Sequence, residues 1–203
     1  MLSRRSLLML SAAALASLAL PGVIPEARAD DAAANAFVRS FGDTLIGIVN
    51  SPGDSADKQR RLAPVIERGV DVNLIAQFCL GRFWRTATPA QQKQYSDLFH
   101  GVLINSIVGH LGEYRGVSYT LTGTQDRGGE AYVGSIIHRP SSTDVNVQWV
   151  VGQDGGQSRI VDVVAEGTSL RLTQRSDYAS FLSRNNNDVD ALIAAMRRQV
   201  GPG

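Results

Sequence analysis

The chain of 203 residues carries 20 Lys and Arg against 19 Asp and Glu, a formal net charge of +1, and 43% hydrophobic residues. This near-neutral balance, without a basic stripe, argues against a nucleic-acid partner, because neutralising phosphates takes clustered cations. Cys79 is the single cysteine, so no internal disulfide is available and a packed core must hold the fold.

Residues 1–29 read as a targeting segment. Arg4 and Arg5 form a positive start, Leu7 to Leu20 is apolar, and Ala27-Arg28-Ala29 is an A-x-A cleavage site, which places the mature start at Asp30. The apolar run is shorter than the ~20 residues a helix needs to cross a bilayer, and Pro21, Gly22 and Pro25 follow it. Ser3-Arg4-Arg5-Ser6-Leu7-Leu8 also resembles a twin-arginine export signal. No Cys follows the apolar run, which argues against lipoprotein processing. Residues 30–203 are a size that suits one domain, with 17 basic and 18 acidic residues.

Helices are expected first. Phe37, Phe41, Leu45 and Ile48 line one helical face, and Ser51-Pro52-Gly53-Asp54-Ser55 ends that helix. A second short helix carries Leu62, Val65 and Ile66, and Asp71 caps a third, Val72 to Leu80, that ends or breaks at Gly81. Cys79 lies in this apolar stretch and reads as a small buried hydrophobe. Thr88-Pro89-Ala90-Gln91 combines an N-cap, a first-turn proline and a capping box, opening a helix to about Tyr114. Its apolar stripe includes Tyr95, Leu98, Phe99, Val102, Leu103, Ile107 and Leu111.

Beyond Gly116 the period changes to two. Val117, Tyr119 and Leu121 alternate with polar residues, Asp126-Arg127-Gly128-Gly129 turns the chain, and Ala131 to His138 forms a second strand. Val145 to Val151 is a third, with Val145, Val147, Trp149 and Val151 on one face, and Asp154-Gly155-Gly156 turns it into Arg159 to Ala165. Four such strands make an antiparallel meander. A closing helix carries Val189, Leu192, Ile193, Met196 and Val200, with Asp188 as cap and Arg197 and Arg198 in its last turns. The expected fold class is α+β, a helical layer packed on a twisted four-stranded antiparallel sheet.

Three histidines are the first candidates for chemistry. His100 and His110 share a helix but stand about 15 Å apart along it, too far for one metal. His138 ends a strand beside Arg139 and Pro140, and Asp162 or Asp126 could pair with a histidine only through an unseen tertiary contact. No catalytic residue, metal site or cofactor is expected. The glycine pairs lie between strands as hairpin turns, not as phosphate cradles. Arg60, Arg61 and Arg68, and separately Arg82 and Arg85, read either as docking charges or as solvated helix faces.

Leu80-Gly81-x-x-Trp84-x-x-Ala87-Thr88-Pro89-Ala90-Gln91, then Tyr95 and Phe99, then Asp162-x-x-Ala165-Glu166-Gly167-x-Ser169-Leu170, then Leu192, resemble the MlaC family of toluene-tolerance proteins. The resemblance runs from about Phe37 to Val200. It implies a periplasmic shuttle of phospholipid between the inner and outer membranes that maintains outer-membrane lipid asymmetry and is not an enzyme. It implies two partners, an inner-membrane ABC transporter complex with a periplasmic substrate-binding domain and an outer-membrane lipoprotein-porin complex. It also implies an apolar lipid cavity between sheet and helices, in a cone of the nuclear transport factor two-like kind. The residues expected along the acyl chains are Trp84, Phe99, Leu103, Ile107, Tyr119, Leu121, Val147, Trp149, Val164 and Leu170. Ile107 departs from the family, which often has Tyr there. The apolar strand face alone could meet either packed helices or lipid tails, and for any single residue a packed core is the commoner case. A hopanoid carrier and a small-molecule enzyme on the same scaffold are the alternatives.

Overall fold

The computed structural model describes residues 26–109, 116–140 and 142–200. Residues 1–25 of the expected targeting segment, and His110, Leu111, Tyr114 and Ser141, lie outside the described residues. Residues Glu26 to Ala29 are the start of α1, Glu26–Asn50, which begins earlier than the apolar stripe from Phe37 requires.

Local chemistry sets the following boundaries. The Asp54 carboxylate accepts the Asp57 N–H at 2.8 Å and opens α2, Ser55–Gly69. The Asp71 carboxylate accepts the Leu74 N–H at 2.9 Å and opens α3, Val72–Leu80. A 3-10 helix, Gly81–Arg85, bridges to α4, Pro89–Gly109. There the capping box is complete: the Thr88 N–H donates to Gln91 Oε1 at 2.9 Å, and the Gln91 N–H to Thr88 Oγ1 at 3.2 Å.

The sheet consists of β1 Ser118–Arg127, β2 Glu130–His138, β3 Val145–Asp154, β4 Gln157–Ala165 and β5 Thr168–Ser169, in that spatial order and antiparallel throughout. Five strands replace the expected four. β5 has only two residues, too few to show a period, and it follows a tight turn in which Glu166 and Gly167 both take positive φ (48° and 79°). Two helices complete the chain, α5 Leu170–Arg184 and α6 Val189–Val200. The expectations included α6 but not α5. The middle of α5, Thr173-Gln174-Arg175-Ser176-Asp177, is polar, and only Tyr178 and Leu182 of the helix are buried.

What fixes α5 is a buried carboxylate. Asp162 on β4 is 5% exposed, and its oxygens accept from the Ser169 hydroxyl, the Val163 N–H at 2.8 Å and the Arg171 N–H at 3.0 Å. The Arg171 guanidinium lies 3.4 Å from the same carboxylate and forms two 3.1 Å bonds with Glu130 on β2. Ser169 in turn caps α5 through the Leu172 N–H at 3.1 Å. In the Asp162-to-Leu170 segment, Asp162 and Ser169 thus close hydrogen bonds across the strand-to-helix turn, and Glu166 accepts the Asn146 N–H of β3.

The helices pack mainly on one side of this sheet. The core runs from Val38 and Phe41 of α1 through Ile66, Ile75, Ala76 and Leu80 to Tyr95 and Phe99 of α4, and it meets Val133, Val151 and Ile160 of the sheet. Arg159 on β4 donates to the Glu67 and Arg68 carbonyls at 2.9 and 2.6 Å, capping the end of α2 and holding it to the sheet. The buried Lys58 ammonium caps α1 in the same way, at 2.6 Å from the Val49 carbonyl.

Removing the Asp162 carboxylate leaves the Ser169 hydroxyl and the Arg171 amide without their acceptor, so Asp162→Ala is expected to cost ~3 kcal/mol or more. Chemical denaturation should show the loss as a lower midpoint with an unchanged slope.

Candidate functional site: the apolar interior between sheet and helices

Strand pairing sorts the expected lining residues by face. Leu121 pairs with Ser135, Ser135 with Val147, and Val133 with Trp149, so Tyr119, Leu121, Val147 and Trp149 point toward the helices with Val133. Val164 points the other way. Counting by twos from Ile160 would place it inside, but β3 and β4 shift register there: Val151 pairs with Ile160 and Val150 with Asp162, leaving Val161 as the extra residue. The bulge inverts the parity, and Val163 takes the inner position that Val164 was expected to hold. Leu170 also stands apart, as the first residue of α5 with 51% of its surface exposed.

Trp149 is the centre of the inner face. Its indole N–H donates to Ser135 Oγ at 2.9 Å, and that hydroxyl donates onward to the Val147 carbonyl at 3.3 Å, so the polar atoms here satisfy each other. Phe41 of α1 meets the Trp149 ring edge-on at 6.1 Å, and Phe37 stacks on Phe41 at 6.1 Å. Gly69 makes this approach possible, since a Cβ there would lie 2.3 Å from Phe41 Cε2. The sequence showed Phe37 and Phe41 as a core stripe and gave no sign that they cover the sheet tryptophan. Tyr119 joins the same helix, its hydroxyl bonded to Asp43 Oδ1 at 2.7 Å and to the Arg39 carbonyl at 2.9 Å. Burial and the Asp43 carboxylate push the Tyr119 phenol up to about 12.

Helix α4 supplies the opposite wall. Phe99 is buried, whereas Leu103 and Ile107 are half-buried against the same cluster that takes in Leu121, Trp149 and Val163. Trp84 stacks edge-on to Tyr95 at 6.4 Å, and Tyr95, Phe99 and Tyr178 pack mutually with ring centroids 5.8 to 6.3 Å apart. The Tyr95 hydroxyl donates to the Ala76 carbonyl at 2.9 Å, but the buried Tyr178 hydroxyl has no partner among the described residues. Burial pushes both phenols well above their usual range.

The interior is therefore lined by apolar side chains and, between α1 and Trp149, closed by them. Two grooves lie at the surface instead. One of about 620 Å³ follows α1 from Ala32 to Thr44, and one of about 400 Å³ lies between α3, the 3-10 helix and α5. Trp84 is the only expected lining residue that borders either groove.

A catalytic alternative has one geometric feature in its favour. His138 Nδ1 lies 2.9 Å from Asp144 Oδ2, and its Nε2 lies 2.9 Å from Thr120 Oγ1. The partners are thus Asp144 and Thr120, not Asp126 or Asp162, and they meet only through the β1–β2 pairing. The order carboxylate, imidazole, hydroxyl is that of a nucleophile relay. All three are substantially exposed and border neither groove, so water screens the relay and no walls position a substrate. His100 lies 3.7 Å from Glu67. No group of three or more metal-ligating side chains occurs among the described residues.

Known proteins match this architecture. The family model described as MlaC protein matches residues 35–198. The toluene tolerance protein ttg2D of Pseudomonas putida is 26% identical over 143 residues, an alignment that covers 70% of this chain and 65% of the length of that curated relative. The phospholipid-binding protein of Ralstonia solanacearum, solved in complex with a phospholipid, superposes with a TM-score of 0.73 at 21% identity, over 82% of this chain and 96% of that one.

Two outcomes follow from the interior. Tyr178→Phe removes a buried hydroxyl that has no partner, so thermal unfolding should be unchanged or raised, by up to ~1 kcal/mol. A loss of stability would mean that the hydroxyl is bonded in solution. Cys79 is 1% exposed, and burial pushes its thiol up to about 12. Its alkylation at pH 8 in the folded protein should be slower than in denaturant by about a hundredfold or more.

Proposed function

The chain belongs to the MlaC family, and on that premise we propose that it is a periplasmic phospholipid carrier that works between the inner and outer membranes and performs no catalysis of its own. Its role would be to help maintain outer-membrane lipid asymmetry. It would exchange lipid with an inner-membrane ABC transporter complex through a periplasmic substrate-binding domain, and with an outer-membrane lipoprotein-porin complex. Among the described residues no helix is long and apolar enough to cross a membrane, which suits a shuttle.

The observation that carries the proposal is the facing pair of apolar walls. Leu103 and Ile107 of α4, and Leu121, Trp149 and Val163 of the sheet, are each half-buried in one continuous cluster, and the polar atoms at its centre are satisfied internally. Such an interior offers acyl chains a dry lining and offers a reacting group nothing to work with. Admitting lipid means moving Phe37 and Phe41 off Trp149, a separation of packed surfaces that acyl chains would then refill.

The energetics suit exchange. Each buried acyl methylene is worth ~0.8 kcal/mol against water, so two long tails would sum to an irreversible complex if water were the reference. The competing site is a bilayer, which is equally apolar. Transfer is then nearly balanced, and the affinity of each docking partner for loaded and empty carrier sets its direction.

Native mass spectrometry of protein purified without detergent should find a diacyl phospholipid bound; a hopanoid, or a small metabolite near His138, would favour the alternative readings. Leu121→Arg places a charge on the half-buried wall, where the guanidinium can still reach water. The variant should fold and carry several-fold less phospholipid. Unfolding of the variant would support a packed core, and undiminished lipid would exclude Leu121 from the site.

A further inference from the structure

We propose that Arg82, Arg85 and Arg175 form a phosphate site in the groove between α3, the 3-10 helix and α5, and that it takes the phosphodiester of a lipid headgroup. The inference deepens the carrier reading and rests on it for the identity of the lipid.

Three guanidinium groups from two separate elements border one concavity of about 400 Å³. None of the three has an ion-pair or hydrogen-bond partner among the described residues, whereas neighbouring Arg171 is fully engaged by Glu130 and Asp162. An accumulation of three fixed positive charges without an anion is unfavourable unless water or an outside anion offsets it. Two of the three are also held in place. The Arg175 guanidinium lies 4.8 Å from the centroid of the Phe78 ring, and that of Arg82 lies 4.8 Å from the Phe83 ring. Stacking on a ring leaves the edge donors of a guanidinium available, and their fork matches the oxygens of a phosphate. Gly81 contributes by having no side chain: a Cβ there would lie 3.3 Å from the Arg175 guanidinium.

The walls point to lipid as the source of the phosphate. Phe78 and Trp84 border the groove and belong at the same time to the apolar cluster of the interior. A molecule with its phosphate on the arginines would therefore set its glycerol region against Phe78 and Trp84, at the margin of the wall where acyl chains are expected. Free phosphate would use the charges and leave the aromatic walls idle. A flat anionic membrane would engage spread charges, and these are gathered in a concavity.

The test uses the mature protein and the variant R82Q/R85Q/R175Q, checked first for an unchanged melting temperature, with R85E alone as the fallback because Arg85 makes no stacking contact. Each is titrated with dihexanoyl phosphatidylcholine, dihexanoylglycerol and inorganic phosphate. The proposal expects the variant to bind the phosphatidylcholine at least about tenfold more weakly while its affinity for the diacylglycerol is unchanged. An equal loss for both lipids, or no loss for either, would overturn it. Binding of inorganic phosphate by the wild type as strong as that of the phospholipid would make this a free-phosphate site and overturn the headgroup assignment. Failure of the wild type to bind either lipid would count against the carrier reading itself. A variant with normal lipid binding that no longer associates with an acidic protein would reassign the patch as a docking surface.

Discussion

A charge taken out of water must be met by the protein, and Asp162 shows what that requirement organises. Its two oxygens draw in a hydroxyl, two backbone amides and a guanidinium, all from within nine residues of chain, and so fold β4 back onto β5 and into α5. Without that connector the polar middle of α5 has no reason to lie where it does. With it, Tyr178 and Leu182 enter the core, Tyr178 completes the aromatic group with Tyr95 and Phe99, and Arg175, one turn earlier on the same helix face, is carried to the groove beside α3. The same anchor reaches β2 through Arg171 and Glu130, so one buried carboxylate ties two strands and a helix into a unit.

This also explains where sequence reading succeeded and where it stopped. Caps and turns are local chemistry, so Asp71, Thr88 with Gln91, and the hairpin glycines marked their elements correctly. Strand alternation likewise put Tyr119, Leu121, Val147 and Trp149 on one face. Val164, also expected along the acyl chains, faces the other way because a single extra residue, Val161, inverts the phase of β4, and no feature of the sequence Ile160-Val161-Asp162-Val163-Val164 announces a bulge. Helix α5 was hidden because its placement depends on a long-range charge network and not on an apolar stripe. The His138 contacts were hidden because they arise from pairing between strands.

The interior itself is a compromise between two demands. Aromatic contacts between α1 and Trp149 close the core where the helix crosses the sheet, as stability requires. A carrier also has to admit guests, and the half-buried residues of α4 and β1 are where packing is already incomplete. α1 is held to the sheet at its end by Asn50, whose side chain bonds the Val117 carbonyl and the Gly116 amide, and by Tyr119 along its length. The cover is thus held by polar contacts at its end and along its length, and between them by the apolar contacts of Val38 and Phe41.

Cys79 has a consequence for how the molecule matures. With one thiol in 203 residues, buried and kept protonated at ordinary pH, the native state is reached without any oxidation step. The chain can therefore complete its fold equally well in a reducing or an oxidising compartment, and its buried sulfur gives disulfide-exchanging enzymes little to attack. Biogenesis is in this respect indifferent to redox conditions.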